Sequence, residues 1–266
     1  MSNLNKAVQR RVTDALSTAA TNQSLNASLR HLAKWRAQML EQVLAERSGD
    51  RVLSGPFKGM IYPNRTAEGS RNPRLIGCYE SCLASVVEEI VANGYDRIVD
   101  IGCAEGYYAV GFAMRMPNAR VIARDRQEKA QLACAELAMV NGLSDRIEVG
   151  AEVDPAEFRS LVQGRTMIWC DIEAGEGDLL DPDAAPALRE ADLLVEVHEG
   201  MRPGLLHLLK QRFGQSHTIL QIERRIDDTG LPDWADQLSD LDRLLLLWEW
   251  RSTPTPWLWM KRKGAA

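Results

Sequence analysis

The chain has 266 residues, 45% of them hydrophobic and 26% charged, which suits one α/β domain with a sizeable core and an added segment. A net charge of −5 and a pI near 5.5 leave no global basic surface for nucleic acid. No apolar run approaches the roughly 20 residues of a membrane span, and the polar stretch Met1 to Arg11 carries no secretory signal.

The cysteines Cys78, Cys82, Cys103, Cys134 and Cys170 form no CxxC pair and have no histidine at metal spacing. Their odd number and apolar neighbours suit reduced thiols. The expectation is a cytoplasmic protein without a metal, acting on a small molecule, with no nucleic-acid or membrane partner.

Taken in chain order, residues 1–93 read as a helical extension and 94–266 as an α/β domain. From Ser24 to Ser48 the apolar residues Leu25, Leu29, Leu32, Trp35, Met39, Leu40, Val43 and Leu44 recur at helical spacing, and Gly49 is a plausible stop. Such a helix packs on its own domain, closes over a pocket, or forms a homodimer surface. Arg51 to Pro73 is punctuated by glycine and proline, with a small hairpin expected between Val52–Leu53 and Met60–Tyr62. Arg65, Arg71 and Arg74 form a basic run. A solvated loop is the expectation for it, and a grip on a substrate carboxylate or phosphate is the second reading. A helix is expected from Arg74 to Ala92, capped by Asn93–Gly94.

Strands and helices then alternate. The strands are expected at Arg97–Ile101, Arg120–Ala123, Arg146–Val149, Met167–Cys170, Leu193–Val197 and Thr218–Ile222. Between them fall helices at Tyr107–Arg115, Gln127–Val140, Pro155–Leu161 and Gly204–Arg212, and an irregular stretch near Leu179–Leu188. That rhythm predicts a doubly wound, mainly parallel sheet with helices on both faces. A helix near Trp234–Trp250 follows, then an apolar strand Trp257–Met260 behind Pro254 and Pro256. Trp248, Trp250, Trp257 and Trp259 cluster here, and core packing is favoured over stacking on a ligand.

The strongest motif is Val99–Asp100–Ile101–Gly102–Cys103–Ala104–Glu105–Gly106–Tyr107–Tyr108, a glycine loop between a strand and a helix. Gly102 admits close approach of a ligand, and Asp100 can take the amino group of a cationic one. Asp125 ends the second strand, 19 residues beyond Gly106, where a carboxylate accepts hydrogen bonds from ribose hydroxyls. Ala104 stands where a second glycine would favour a pyrophosphate, so an NAD-dependent dehydrogenase fits less well.

On these residues, with Cys170–Asp171–Ile172–Glu173–Ala174–Gly175–Glu176 and Leu194–Val195–Glu196–Val197–His198, the chain resembles the class I S-adenosylmethionine-dependent methyltransferases. Within them it is similar to the FkbM-like group, whose chains usually read Gly-Ala where this one has Ala174–Gly175. The resemblance spans about Asp96 to Met260. It implies a seven-stranded, Rossmann-like sheet whose last strand inserts antiparallel, and S-adenosylmethionine as cofactor. By position, Asp100, Gly102 and Gly106 would cradle the methionine end and Asp125 the ribose, with Cys103, Ala104, Tyr107, Arg126 and Asp171 also at the cofactor. Gly150, Ala151, Glu152 and Val153 would flank the adenine, and Asp171 would face the substrate.

Methyl transfer needs alignment, exclusion of water and, for an oxygen or nitrogen acceptor, a base. His198 is the first candidate, then Asp171 and Glu173, with Tyr79 beside them. Tyr79, Tyr107 and Tyr108 are also candidates to contact the cofactor. A metal at Asp171 lacks a second and third ligand at convincing spacing. Two alternatives keep the fold: cyclisation of the cofactor itself to azetidine-2-carboxylate with release of methylthioadenosine, and a non-catalytic cofactor-binding subunit.

Overall fold

The computed structural model describes residues 2–17, 21–63, 69–226, 228, 230–251, 253 and 255–264. Arg65 and Pro254, singled out above, lie outside them. Seven strands form one sheet: β1 (Arg97–Ile101), β2 (Arg120–Arg124), β3 (Ile147–Gly150), β4 (Thr166–Cys170), β5 (Asp192–Glu196), β6 (His217–Ile222) and β7 (Trp257–Arg262). Their order is β3-β2-β1-β4-β5-β7-β6, with β7 antiparallel between β5 and β6 and the other pairings parallel. The expected doubly wound sheet with an inserted antiparallel strand is therefore the observed one.

The helices are α1 (Ser2–Leu16), α2 (Asn22–Ser48), α3 (Arg71–Ile76), α4 (Ala84–Asn93), α5 (Tyr107–Arg115), α6 (Glu128–Val140), α7 (Phe158–Leu161), α8 (Glu176–Leu179), α9 (Leu205–Phe213) and α10 (Asp240–Leu247). Side chains along each strand alternate between two cores. Ile98, Met167, Trp169, Leu194, Trp257 and Trp259 face one core, with residues of α2 to α6 and α10. Val99, Ile168, Cys170, Leu193, Val195, Leu258 and Met260 face the other, with α7 and α9. Each fully buried large apolar side chain contributes about 1.5–3 kcal/mol, so these two layers dominate the stability. Trp257 and Trp259 are core residues, as expected.

The N-terminal region does not pack as a separate unit. Ala37, Leu40 and Leu44 of α2 enter the same cluster as Ile98 and Tyr107. Of the stripe expected along α2, only Leu40 and Leu44 are buried; Leu25, Leu29, Leu32 and Val43 stay exposed. The helix starts on a Thr21 capping box and ends on left-handed Gly49.

Three expected elements are corrected. The helix from Arg74 to Ala92 is two helices, because Gly77 (φ +92) ends α3 where a Cβ would stand 1.9 Å from the Ser54 carbonyl oxygen. The hairpin of Val52–Leu53 with Met60–Tyr62 reduces to a single bridge, Arg51 to Ile61, around a tight turn. The helix over Trp234–Trp250 is a 3-10 turn at Asp233–Gln237 followed by α10, whose start is capped by the Ser239 side chain. No helix among the described residues is long and apolar enough to cross a membrane.

Candidate active site

The chain runs outward from β1 through β2 to β3, then returns to build β4 and β5 on the other side, so strand order reverses between β1 and β4. Ligands in such sheets bind outside the carboxyl ends of the strands at that reversal. A cleft of about 630 Å³ opens there. Of the expected site residues, Tyr79, Gly102, Ala104, Asp125, Arg126, Glu152, Asp171 and Glu173 line it, and Val153 does too.

The glycine loop is built by two close approaches. A Cβ on Gly106 (φ +91) would meet the Cys134 sulfur of α6 at 2.7 Å, and Gly102 is pinned against β4. Ala104 is itself left-handed (φ +47), and its N–H donates to Asp125 Oδ2 at 3.0 Å. Asp125 Oδ1 accepts from the Gln127 N–H at 2.8 Å. The carboxylate thus locks the loop and the start of α6 together while lining the cleft.

Other expected contacts lie off the wall. Asp100 is buried beneath the loop, 2% exposed, with Oδ2 lacking a hydrogen-bond partner, and burial pushes its carboxyl up to about 7. Cys103 is buried beside Cys134, with its thiol pushed up chiefly by that neighbour. Tyr107 is core, edge-on to Phe57, Tyr62 and Tyr79. Tyr108 stacks on Trp169 at 3.7 Å and donates to Glu80, so its role is packing. Ala151 is exposed.

The solvated-loop expectation for the arginines fails for the two that are described. Arg71 and Arg74 are each 6% exposed. Arg71 pairs with Asp50 at 2.6 Å and donates to the Tyr62 carbonyl, tying α3 to the end of α2. Arg74 lines the cleft, with its guanidinium 3.8 Å from the centre of the Tyr79 ring and its Nε 3.2 Å from Glu105 Oε1.

At the carboxyl ends of β4 and β5 lies a dense acidic cluster that the sequence did not reveal. His198, 4% exposed, holds Glu176 Oε1 through Nδ1 at 2.9 Å. Its Nε2 faces Glu173 Oε2 at 3.4 Å, Asp171 Oδ1 at 3.7 Å and Glu196 Oε2 at 3.8 Å. Burial opposes the charged ring, but Glu176, Glu196 and Glu173 outweigh it and hold His198 above the usual histidine range. Asp171 is pushed well up, first by burial and then by Glu196.

Behind them, Arg251 meets Glu196, Glu80 and Glu249. Glu80 is pushed up to about 7 by burial despite the nearby guanidinium. Asp171, Glu196 and His198 offer donor atoms all within 4.8 Å of one another. The expectation that Asp171 has no companion ligands is thereby corrected. Glu196 and His198 are two residues apart at the end of an apolar strand, a spacing that was there to be read. Arg251 and Glu80 gave none, because they arrive from distant segments.

No protein-family model and no curated protein matches the chain. Among solved structures it is similar to the O-methyltransferase TomG of Streptomyces achromogenes, crystallised with SAM (12% identity, 98% of this chain and 100% of that one, TM-score 0.46). It is also similar to cofactor-bound Rv0187 of MTB (14% identity, 92% and 99%, TM-score 0.47). A third is the human methyltransferase 10 domain containing protein (13% identity, 86% and 97%, TM-score 0.48). Likenesses this distant carry no argument about activity, which has to come from the cleft itself.

Proposed function

We propose that the chain is an S-adenosylmethionine-dependent methyltransferase acting on an oxygen or nitrogen of a small-molecule acceptor. The observation that carries this reading is the cleft at the β1/β4 reversal, whose wall holds Gly102, Asp125 and Glu152 in the order the cofactor needs. Its volume falls in the range of small-molecule sites, about 300–1,000 Å³. The Ala104 amide, already given to Asp125, is not free to wrap a pyrophosphate, which counts against a dinucleotide. Arg74 is the cation on the wall for an amino-acid carboxylate. Glu173 brings negative charge to the end where a sulfonium would lie, with Asp171 beside it on the wall.

In the transfer, the acceptor's lone pair forms a bond to the methyl carbon while the carbon–sulfur bond breaks, leaving its electron pair on sulfur. The acceptor's proton goes to Glu173, whose side chain is 44% exposed on the cleft and whose backbone is left-handed (φ +53), a strained geometry typical of functional positions. His198 stands behind this wall and orients the carboxylates. The resemblance to the FkbM-like group rests on this same loop, in which Ala174 takes a left-handed conformation (φ +76) that glycine adopts freely. The exposed leucines of α2 suit a homodimer contact, which sedimentation would test.

The test is incubation of the purified protein with S-adenosylmethionine alone, followed by mass spectrometry and equilibrium binding. Tight binding of intact cofactor supports a methyltransferase awaiting its acceptor. Release of methylthioadenosine would replace this reading with cofactor cyclisation, and absence of binding would overturn both.

A further inference from the structure

The turn that carries Glu173 goes against the preferences of its own residues. Ile172 to Gly175 is closed by the Gly175 N–H donating to the Ile172 carbonyl at 3.2 Å, and both central residues are left-handed, Glu173 at φ +53 and Ala174 at φ +76. Positive φ at both centres marks a type I′ turn, which asparagine, aspartate and glycine favour. Six non-glycine residues among those described have positive φ, and these are the only two in succession. Each is strained there, and such strain persists only where the surroundings impose it.

Glu176, the first residue of α8, imposes it. Its side chain is fully buried, and a buried carboxylate is costly unless hydrogen bonds satisfy it. Three donors converge on its Oε1: the Ile172 N–H at 3.2 Å, the Ala174 N–H at 3.3 Å and His198 Nδ1 at 2.9 Å. An ionised carboxylate only accepts, so Nδ1 carries the proton of the last contact. The first two bonds come from either side of Glu173 and fold the turn over the carboxylate. The third fixes the imidazole, whose Nε2 then stands 3.4 Å from Glu173 Oε2. Backbone and side chain of Glu173 are thus both set from one buried oxygen. Hydrogen bonds to a charged acceptor are roughly twice as strong as neutral ones, which suits a single carboxylate to holding a strained turn.

The segment is also clamped where it leaves the sheet. The Asp171 N–H donates to the Ile101 carbonyl at 2.9 Å, and the Asp171 carbonyl abuts Gly102. The turn therefore cannot relieve its strain by sliding along β4. Ile172, Glu173 and Gly175 all line the cleft, so any shift of the turn is a shift of the wall.

We propose that Glu176 is a positioning residue for the methyl transfer: it holds the Ile172–Gly175 turn and the His198 ring so that Glu173 faces the methyl group of the bound cofactor. The inference rests on the transfer proposed above, in which Glu173 takes the acceptor's proton. Being fully buried, Glu176 acts only through these neighbours.

The experiment compares two cofactor analogues on the full-length protein by calorimetry. S-adenosylhomocysteine lacks the methyl group and its charge, whereas sinefungin carries a protonated amine at that place. A carboxylate presented there favours sinefungin, and the wild type should bind it at least about tenfold more tightly, the scale of one hydrogen bond between charged groups. Glu173→Gln should bring the two affinities within about threefold of each other. Glu176→Leu keeps Glu173 in the chain but removes its support, and should abolish the preference as well. Glu176→Gln keeps an acceptor oxygen in place and should retain part of it. Circular dichroism establishes that each variant is folded. Amide exchange in the wild type, followed by NMR, reads the same bonds without a substitution: the Ile172 and Ala174 amides should exchange at least about 100-fold more slowly than unstructured ones.

Equal affinity of the wild type for the two analogues would overturn the inference, as would a preference unchanged in folded Glu176→Leu, or Ile172 and Ala174 amides without protection. In each of these cases binding of S-adenosylhomocysteine leaves the cofactor reading standing. Failure of both analogues to bind would overturn that reading, and the inference with it.

Discussion

Gly102 at the end of β1 and Asp171 at the end of β4 approach so closely that a Cβ on the glycine would stand 1.7 Å from the aspartate's carbonyl oxygen. The contact joins the glycine loop to the acidic wall across the point where strand order reverses. Gly102 also has φ +85, where an L side chain is strained. Gly102→Ala therefore combines backbone strain with overpacking against a main-chain atom. We expect a loss of about 2–4 kcal/mol in urea unfolding, with cofactor affinity falling alongside. Wild-type stability and affinity in this variant would mean that the two strand ends are free to part.

Asp125 serves the loop and the cleft at once. Asp125→Ala removes its bonds to the Ala104 and Gln127 amides and the acceptor proposed for the ribose. S-adenosylmethionine affinity should fall by about 1–3 kcal/mol, the scale for hydrogen bonds to a charged group. Calorimetry showing unchanged affinity would remove Asp125 from the ribose role.

Asp100 makes stability depend on pH. Its carboxyl lies at about 7 in the folded chain, against about 3.9 for an unperturbed aspartate. Below about pH 4 both states are protonated and Asp100 costs nothing. Between pH 4 and 7 the unfolded chain ionises first, so stability is lost as pH rises, and the loss is complete above pH 7. At 1.36 kcal/mol per unit it is on the order of 4 kcal/mol. Asp100→Asn should gain on the wild type between pH 5 and pH 8 in parallel thermal melts, and a constant difference would contradict the assignment.

Arg251 faces three buried carboxylates, so Arg251→Met strands charge in the interior. The expected cost at pH 8 is about 3–5 kcal/mol, as for other broken buried pairs. Because Glu80 already lies at about 7, losing the guanidinium leaves protonation as its escape, and the penalty should shrink below pH 6. Denaturant unfolding at the two pH values measures both effects.

The sheet was legible because its strands are short apolar runs with clear breaks, and such runs fold the same way wherever they meet. The glycine loop and Asp125 were legible because the loop, the helix it opens and the next strand end are near neighbours in the chain. The break at Gly77 was not, because it answers to the Ser54 backbone, 23 residues away. The buried state of Arg71 and Arg74 was missed for a similar reason: three arginines close together in sequence look solvated until Asp50, Glu105 and Tyr79 are placed around them. His198 and Asp171 were picked out singly. Their association depends on strand register, which residue types alone do not encode.

The position of β7 has a consequence for how the molecule comes together. β6 precedes β7 in the chain, yet among the described residues its only neighbour in the sheet is β7, which stands between it and β5. Until that strand slides in, β6 has nothing to join, and the far edge of β5 stays open. Arg251 lies six residues before β7, so the same event carries a guanidinium to Glu80 and Glu196. Closure of the sheet and neutralisation of its acidic rim thus depend on one short segment of chain. A chain caught before it would carry both an open edge and a knot of repelling carboxylates, a state with every reason to fall apart rather than persist.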